Sequence, residues 1–299
     1  MFKNILVPLD GSKLSEASLG PASLLAQTLK AHVTLLHVIE QDAPSEVHKE
    51  RHLTRPDEAE AYLKDAAQRA FPSDIKVETH VHTAPVSDVA KSIIDHITEF
   101  KPDLIVICAH GHSGIRDVLI GSIAQQIVAH GATPLLLVKP DSPRFQLDRI
   151  LIPLDPDSRH DDSIPVAKAF GATFGAKLHL LSVIPTFSTL AGEQAAAGNL
   201  LPGTAQALLD IKEENASEDL NIHMTELRKE GIKVFAEVAR GDPARGIVKI
   251  AELSGADLII LTTHRKAGIG AFWARSVAPK VAQKTKMPLL LIPLSTRKE

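Results

Sequence analysis

The chain repeats itself. Ile5-Leu6-Val7-Pro8-Leu9-Asp10 returns 145 residues later as Ile150-Leu151-Ile152-Pro153-Leu154-Asp155, with five of six positions identical. The same interval carries Leu35-Leu36-His37-Val38-Ile39 onto Leu180-Leu181-Ser182-Val183-Ile184. Two later blocks, Asp103-Leu104-Ile105-Val106 and Pro134-Leu135-Leu136-Leu137, recur 154 residues on, at Asp257–Ile260 and Pro288–Leu291. Four blocks in one order indicate a duplicated domain and not a short-period solenoid. A length of 299 residues fits two domains of roughly 150 each. The longer second interval adds nine residues to the second copy, and the Ala/Gly-rich stretch Leu190 to Gln206 is where we place them.

Each copy alternates short apolar runs with amphipathic stretches. In the first we read strands at 5–9, 32–39, 75–82, 103–108 and 134–138. Between them come helices near 14–30, 56–71, 86–100 and 122–130, and a polar loop at 40–55. Leu14, Ala17, Pro21, Leu25 and Leu29 share one face of the first helix; Val89, Ile93, Ile94 and Ile97 are read as the inward face of the third. The strands are continuous apolar runs and not alternating ones, so both faces are buried, which means a parallel sheet between helix layers. This is a doubly wound α/β domain. The break Asp141-Ser142-Pro143 sets the domains at 1–140 and 148–299.

Composition excludes several function classes. Net charge is −3 with no dense Lys/Arg run, so a nucleic-acid footprint is not expected. No apolar run approaches the ~20 residues of a membrane span. The N-terminus reads as a strand and shows no signal-peptide pattern. The single cysteine, Cys108, has no partner for an internal disulfide and points to a reducing compartment. The expectation is a soluble, cytoplasmic protein.

In open α/β sheets ligands bind beyond the carboxyl ends of strands. Asp10 stands at such an end. So does the loop from Cys108 through Gly111, His112 and Gly114 to Gly121-Ser122. Glycines let a backbone approach phosphate closely. Gly121-Ser122 then opens a helix whose free N–H groups favour an anion. A carboxylate facing a Gly/Ser cradle is a nucleotide-shaped pair; the bland reading is that Asp10 caps a turn and the glycines shape a loop.

In these residues the chain resembles the universal stress protein family, tandem-domain type, over essentially its full length. ATP-binding members of that family carry glycine, two residues, glycine, nine residues, glycine, then Ser or Thr. Gly111 and Gly121-Ser122 match; Cys108 stands where the first glycine belongs. Val7-Pro8-Leu9-Asp10-Gly11-Ser12 is similar to the family's opening. The resemblance implies two five-stranded parallel-sheet domains of strand order 3-2-1-4-5, forming a pseudo-dimer and admitting a homodimer. It further implies ATP, with or without Mg, held by Asp10 at the ribose, the backbone near Pro8 and Val38 at adenine, and the loop at the phosphates.

In the second copy Thr262, Arg265 and Arg275 replace all three glycine positions, while Asp155 remains. The arginines either recruit an anion or fill the cleft; we read a degenerate, structural site. Gly241 to Gly246 has Walker-A spacing, but Ile247 stands where the lysine belongs. The histidine pairs 48/52, 80/82 and 110/112 are read as ordinary surface, strand and loop residues, because a metal needs three or four converging ligands. The charged helix Gln206 to Glu230 is read as a solvated face. Together these give a nucleotide-dependent stress sensor or regulator without a catalytic apparatus. The alternatives are a structural dimerisation protein and an adenylate-activating enzyme.

Overall fold

The computed structural model describes residues 1–47, 50–109, 122–130, 132–142, 145–155, 162–190, 196, 200–263 and 277–294. They form an α/β fold that divides into two compact units. One unit comprises Met1–Phe145, Thr263–Pro279 and Pro288–Glu299; the other comprises Gln146–Thr262 and Lys280–Met287.

In the first unit, β1 (Asn4–Pro8), β2 (His32–Glu40), β5 (Val77–Val86), β6 (Leu104–Cys108) and β7 (Leu135–Val138) lie in the order β5-β2-β1-β6-β7, all parallel. Ile5, Leu6, Leu35, Leu36, Leu104 and Ile105 are almost wholly buried, as two-sided cover requires. β5 is the edge strand, half-buried, and carries Pro85, whose missing N–H an edge tolerates. A sixth strand, β12 (Leu289–Pro293), comes from the far end of the chain. It runs antiparallel to β7, with Leu290 opposite Leu136, so the fifth strands of the two copies pair.

Within the stretch read as a loop, β3 (Glu46–Val47) and β4 (Glu50–Arg51) pair antiparallel. The stretch read as one helix from 14 splits. Ser15–Ser18 is a 3-10 turn and α1 spans Leu19–Leu29. Serine is the reason: Ser15 Oγ donates to Ser12 O at 2.8 Å and Ser18 Oγ to Ser15 O at 2.6 Å, which tightens the entry. Ser15 and Ser18 are therefore buried, where Leu14 and Ala17 were expected. Helices α2 (Pro56–Ala70), α3 (Val89–Phe100) and α4 (Ser122–His130) follow. α3 is rotated from the expected face: it buries Ala90, Ser92, Ile93 and His96, and leaves Ile94 and Ile97 half-buried.

The second unit orders its strands β10-β9-β8-β11: β8 (Arg149–Leu154), β9 (Lys177–Ile184), β10 (Val234–Arg240) and β11 (Leu258–Thr263), parallel throughout. Its helices are α5 (Ser163–Phe174), α6 (Pro202–Lys229) and α7 (Pro243–Ser254), and α8 (Val277–Lys284) begins within the residues of the first unit. α6 starts at Pro202, whose fixed φ suits a first helical position. It buries Leu209, Ala216, Leu220 and Leu227 but leaves Leu208, Ile211 and Ile222 exposed, so its outer face is less polar than its charges suggest.

Helix ends differ between the copies. α1 and α3 close on Lys30 (φ 50°) and Lys101 (φ 47°), both left-handed. The equivalent ends of α5 and α7 close on Gly175 (φ 69°) and Gly255 (φ 62°). Among the described residues no helix is long and apolar enough to cross a membrane.

Candidate functional site

β1 ends at Pro8, and the chain turns at Asp10. Asp10 Oδ1 accepts from Ser12 N at 2.9 Å and from Ser12 Oγ at 2.7 Å, so this carboxylate does cap the turn. Gly11 holds φ +89°, and a Cβ there would sit 2.7 Å from Leu53 Cδ1. Positive φ and close approach both demand glycine at that point.

Beyond these strand ends lies a cavity of about 330 Å³. Pro8 and Asp10 of the first strand end, Val38 of β2, and Cys108 and Ala109 at the end of β6 line it. One side is α3, through Val89, Ala90 and Ile93. Another is the start of α4, through Ile123 and Ala124. α3 is held by Asp88, whose side chain accepts from Lys91 N at 2.9 Å. The cavity thus has apolar walls, a carboxylate at the sheet end and a helix start in its lining. The free N–H groups of such a start suit an anion.

The structure brings Pro8, Asp10 and Val38 together around one space. Gly111, His112, Gly114 and Gly121 lie outside the described residues. Ser122 is the first residue of α4. His48, His110, Arg265 and Arg275 also lie outside the described residues. Cys108 is buried, and its thiol is pushed up to about 12, chiefly by burial and further by Asp10 and Asp141. At neutral pH it is an inert apolar wall.

His37 was not singled out from sequence, and His52, read there as a surface residue, is buried in the cavity wall instead. His37 is buried on β2, with Nδ1 2.8 Å from the Leu9 carbonyl oxygen and Nε2 3.2 Å from that of Leu53. It ties the segment after β4 to the end of β1. Glu50 of β4 makes a neighbouring tie, accepting from Lys13 N in the turn after Asp10 at 2.6 Å. The legible signal was a lone histidine inside an apolar run, a buried polar group that needs partners. His52, on that segment, is buried, and burial holds it below the ordinary histidine range although Glu40, 3.9 Å away, pulls the other way.

At the equivalent strand end of the second copy Asp155 is exposed. Val183, the counterpart of Val38, meets α7 closely: a Cβ on Gly246 would lie 3.1 Å from Val183 Cγ1. Ser182, the counterpart of His37, is buried with no hydrogen-bond partner for its hydroxyl among the described residues. Gly241 has φ +139° and precedes the N-cap Asp242, so the Walker-like spacing is a strand-to-helix turn.

The family model for the universal stress protein family matches residues 1–139 and again 146–293. A universal stress protein of Mycolicibacterium smegmatis is 24% identical over 303 residues, 96% of each chain. Universal stress protein G of Salmonella typhimurium is 30% identical over 149 residues, covering 46% of this chain and all of its own. Among solved structures, a universal stress protein from Archaeoglobus fulgidus DSM 4304 superposes with a TM-score of 0.72 at 19% identity. That match covers 99% of this chain and 97% of the other, a likeness of fold.

Proposed function

The chain belongs to the universal stress protein family, and on that premise we propose that its first copy binds an adenine nucleotide, ATP foremost, as a nucleotide-responsive regulator in a cytoplasmic stress response. The observation that carries the reading is the cavity of about 330 Å³ on which Pro8, Asp10 and Val38 converge beside the start of α4. That volume lies at the lower end of the range for small-ligand pockets, ~300–1,000 Å³. In this reading adenine lies against the apolar walls near Val38, and Asp10 accepts from ribose hydroxyls. Gly111, Gly121 and Ser122 take the phosphates, with Mg where the phosphates bring it. The second copy is a degenerate site and acts as the built-in partner of the first in a pseudo-dimer. The protein works by binding and not by catalysis.

Native mass spectrometry of the purified, undenatured chain, followed by isothermal titration with ATP, tests this. One adenine nucleotide per chain is expected. Two equivalent sites would sink the assignment of the second copy, and no adenine nucleotide at all would leave a structural protein.

A further inference from the structure

Three histidines far from any motif meet between the edge strand β5 and helix α3. The ring of His96 on α3 lies 4.9 Å from that of His80 and 5.1 Å from that of His82, centre to centre. Phe100 packs edge-on against His80 at 5.0 Å. Hydrogen bonding says where the protons are. His96 Nδ1 is 2.7 Å from the Ser92 carbonyl oxygen. A carbonyl only accepts, so Nδ1 carries the hydrogen and, in the neutral ring, Nε2 is bare. That Nε2 is 3.1 Å from His80 Nε2. His80 therefore donates, and the two rings share one proton between them. Among the described residues no three His, Cys, Asp or Glu side chains converge to hold a metal ion. The chemistry left to the cluster is proton exchange.

A proton added at His96 Nε2 would set N–H against N–H. A proton added to His82 would place a second cation beside the first. The groups facing His80 are His96 and Glu99 from α3, His32 from β2, and Glu78 and His82 from β5 itself. Glu78 is already engaged by Lys76 at 2.8 Å and by His32 at 3.4 Å. Glu99 favours charge on His80, but burial and His96 outweigh it and hold His80 below the ordinary histidine range.

The cluster adjoins the cavity. Ile93, one turn before His96, and Val89 and Ala90 behind it are cavity wall, and His82 is in register with Val38. Among the described residues the second copy has no such cluster. Glu237 and Ala239 stand in register with Leu181 and Val183, where the first copy has His80 and His82, and Ile250 replaces His96.

We propose that His80, His82 and His96 form an acid-sensitive latch. Near neutral pH the shared proton holds α3 against β5 as a wall of the cavity; further protonation drives α3 away and releases the ligand. The ligand half rests on the nucleotide reading above, and the latch does not.

The test compares the full chain with the double variant His80→Gln/His96→Gln, which keeps hydrogen-bonding groups but cannot charge. A histidine held low in the folded state takes its proton first in the unfolded chain. Its contribution to stability is therefore complete above about pH 6.5 and is lost as pH falls below that value. Between pH 7.5 and 5.5 the parent should lose about tenfold more of its folding equilibrium constant than the variant, a Tm difference of roughly 2–4 °C. Its Kd for ATP should weaken about tenfold more over the same range. Equal acid-induced Tm loss in both proteins overturns the latch. A parent-specific Tm loss with no ATP bound at either pH upholds the latch and overturns the nucleotide reading. If the variant does not fold, histidine NMR titration of the parent decides. One coupled resonance moving well below the rest supports the latch, and three independent ordinary titrations overturn it.

Discussion

Each copy places an aspartate just beyond its first strand, yet the surroundings of Asp10 and Asp155 have little in common. Asp10 is half-buried in a serine-closed turn at the mouth of a cavity, while Asp155 is exposed. Val38 lines that cavity, whereas Val183 is met by α7 through Gly246. His37 reaches from β2 to the segment after β4; Ser182 is too short to reach anything comparable. The difference lies in where glycine stands. The first copy keeps it at Gly11, where positive φ and the closeness of Leu53 require it, carries it in sequence at Gly111 and Gly121, and closes two helices on left-handed lysines. The second copy has it at Gly175, Gly246 and Gly255, where it relaxes caps and lets a helix settle on a strand. A retained strand-end carboxylate therefore does not by itself fix the surroundings of a strand end; the glycine positions around it differ between the copies.

The hardest strike at that contrast is Gly121→Arg, which gives the first copy the residue that stands at position 275 in the second. Affinity for ATP should fall about a hundredfold or more, roughly 2.7 kcal/mol. Titration calorimetry returning the parent affinity would mean that the cradle is misplaced. Next in size is the aspartate pair. Asp10→Ala should weaken ATP about tenfold, the worth of a charge-assisted hydrogen bond, and Asp155→Ala should change nothing. Equal losses would make the second site live. The smallest effect sharpens the contrast without any ligand. Lys101→Gly should stabilise the chain by about 0.5–1 kcal/mol, because a left-handed non-glycine residue costs ~1–2 kcal/mol and glycine's entropy takes part of that back. Gly255→Lys should destabilise by a similar amount. Denaturant midpoints read both, and the same sign for the two changes would show that cap strain does not distinguish the copies.

The duplication, the α/β class and the parallel strands were legible because burial on both faces writes itself as uninterrupted Val, Ile and Leu. Other features depend on partners that no local pattern names. The 3-10 entry to α1 is set by hydroxyls finding carbonyls three residues back. The face of α3 follows its packing against β2 and α4, so His96 turns inward where an apolar count favours Ile94 and Ile97. Asp10 was readable as a candidate because strand ends face the same way in a parallel sheet, whereas Pro8 and Val38 were candidates only through the family resemblance. His37 and the segment after β4 were not singled out, because their role rests on a contact sixteen residues apart in sequence.

The pairing of β7 with β12 also bears on how the protein is made. Synthesis finishes Val138 long before Leu289 exists. The first unit therefore waits with one sheet edge bare while some 150 residues are added, about 8–30 s at ~5–20 residues per second. Through that interval an apolar run, Leu135–Val138, stands ready to pair with any passing strand. The first unit is closed by a strand made some 150 residues after the edge it covers, so a chain cut short before Leu289 is left with that edge bare and poised to aggregate.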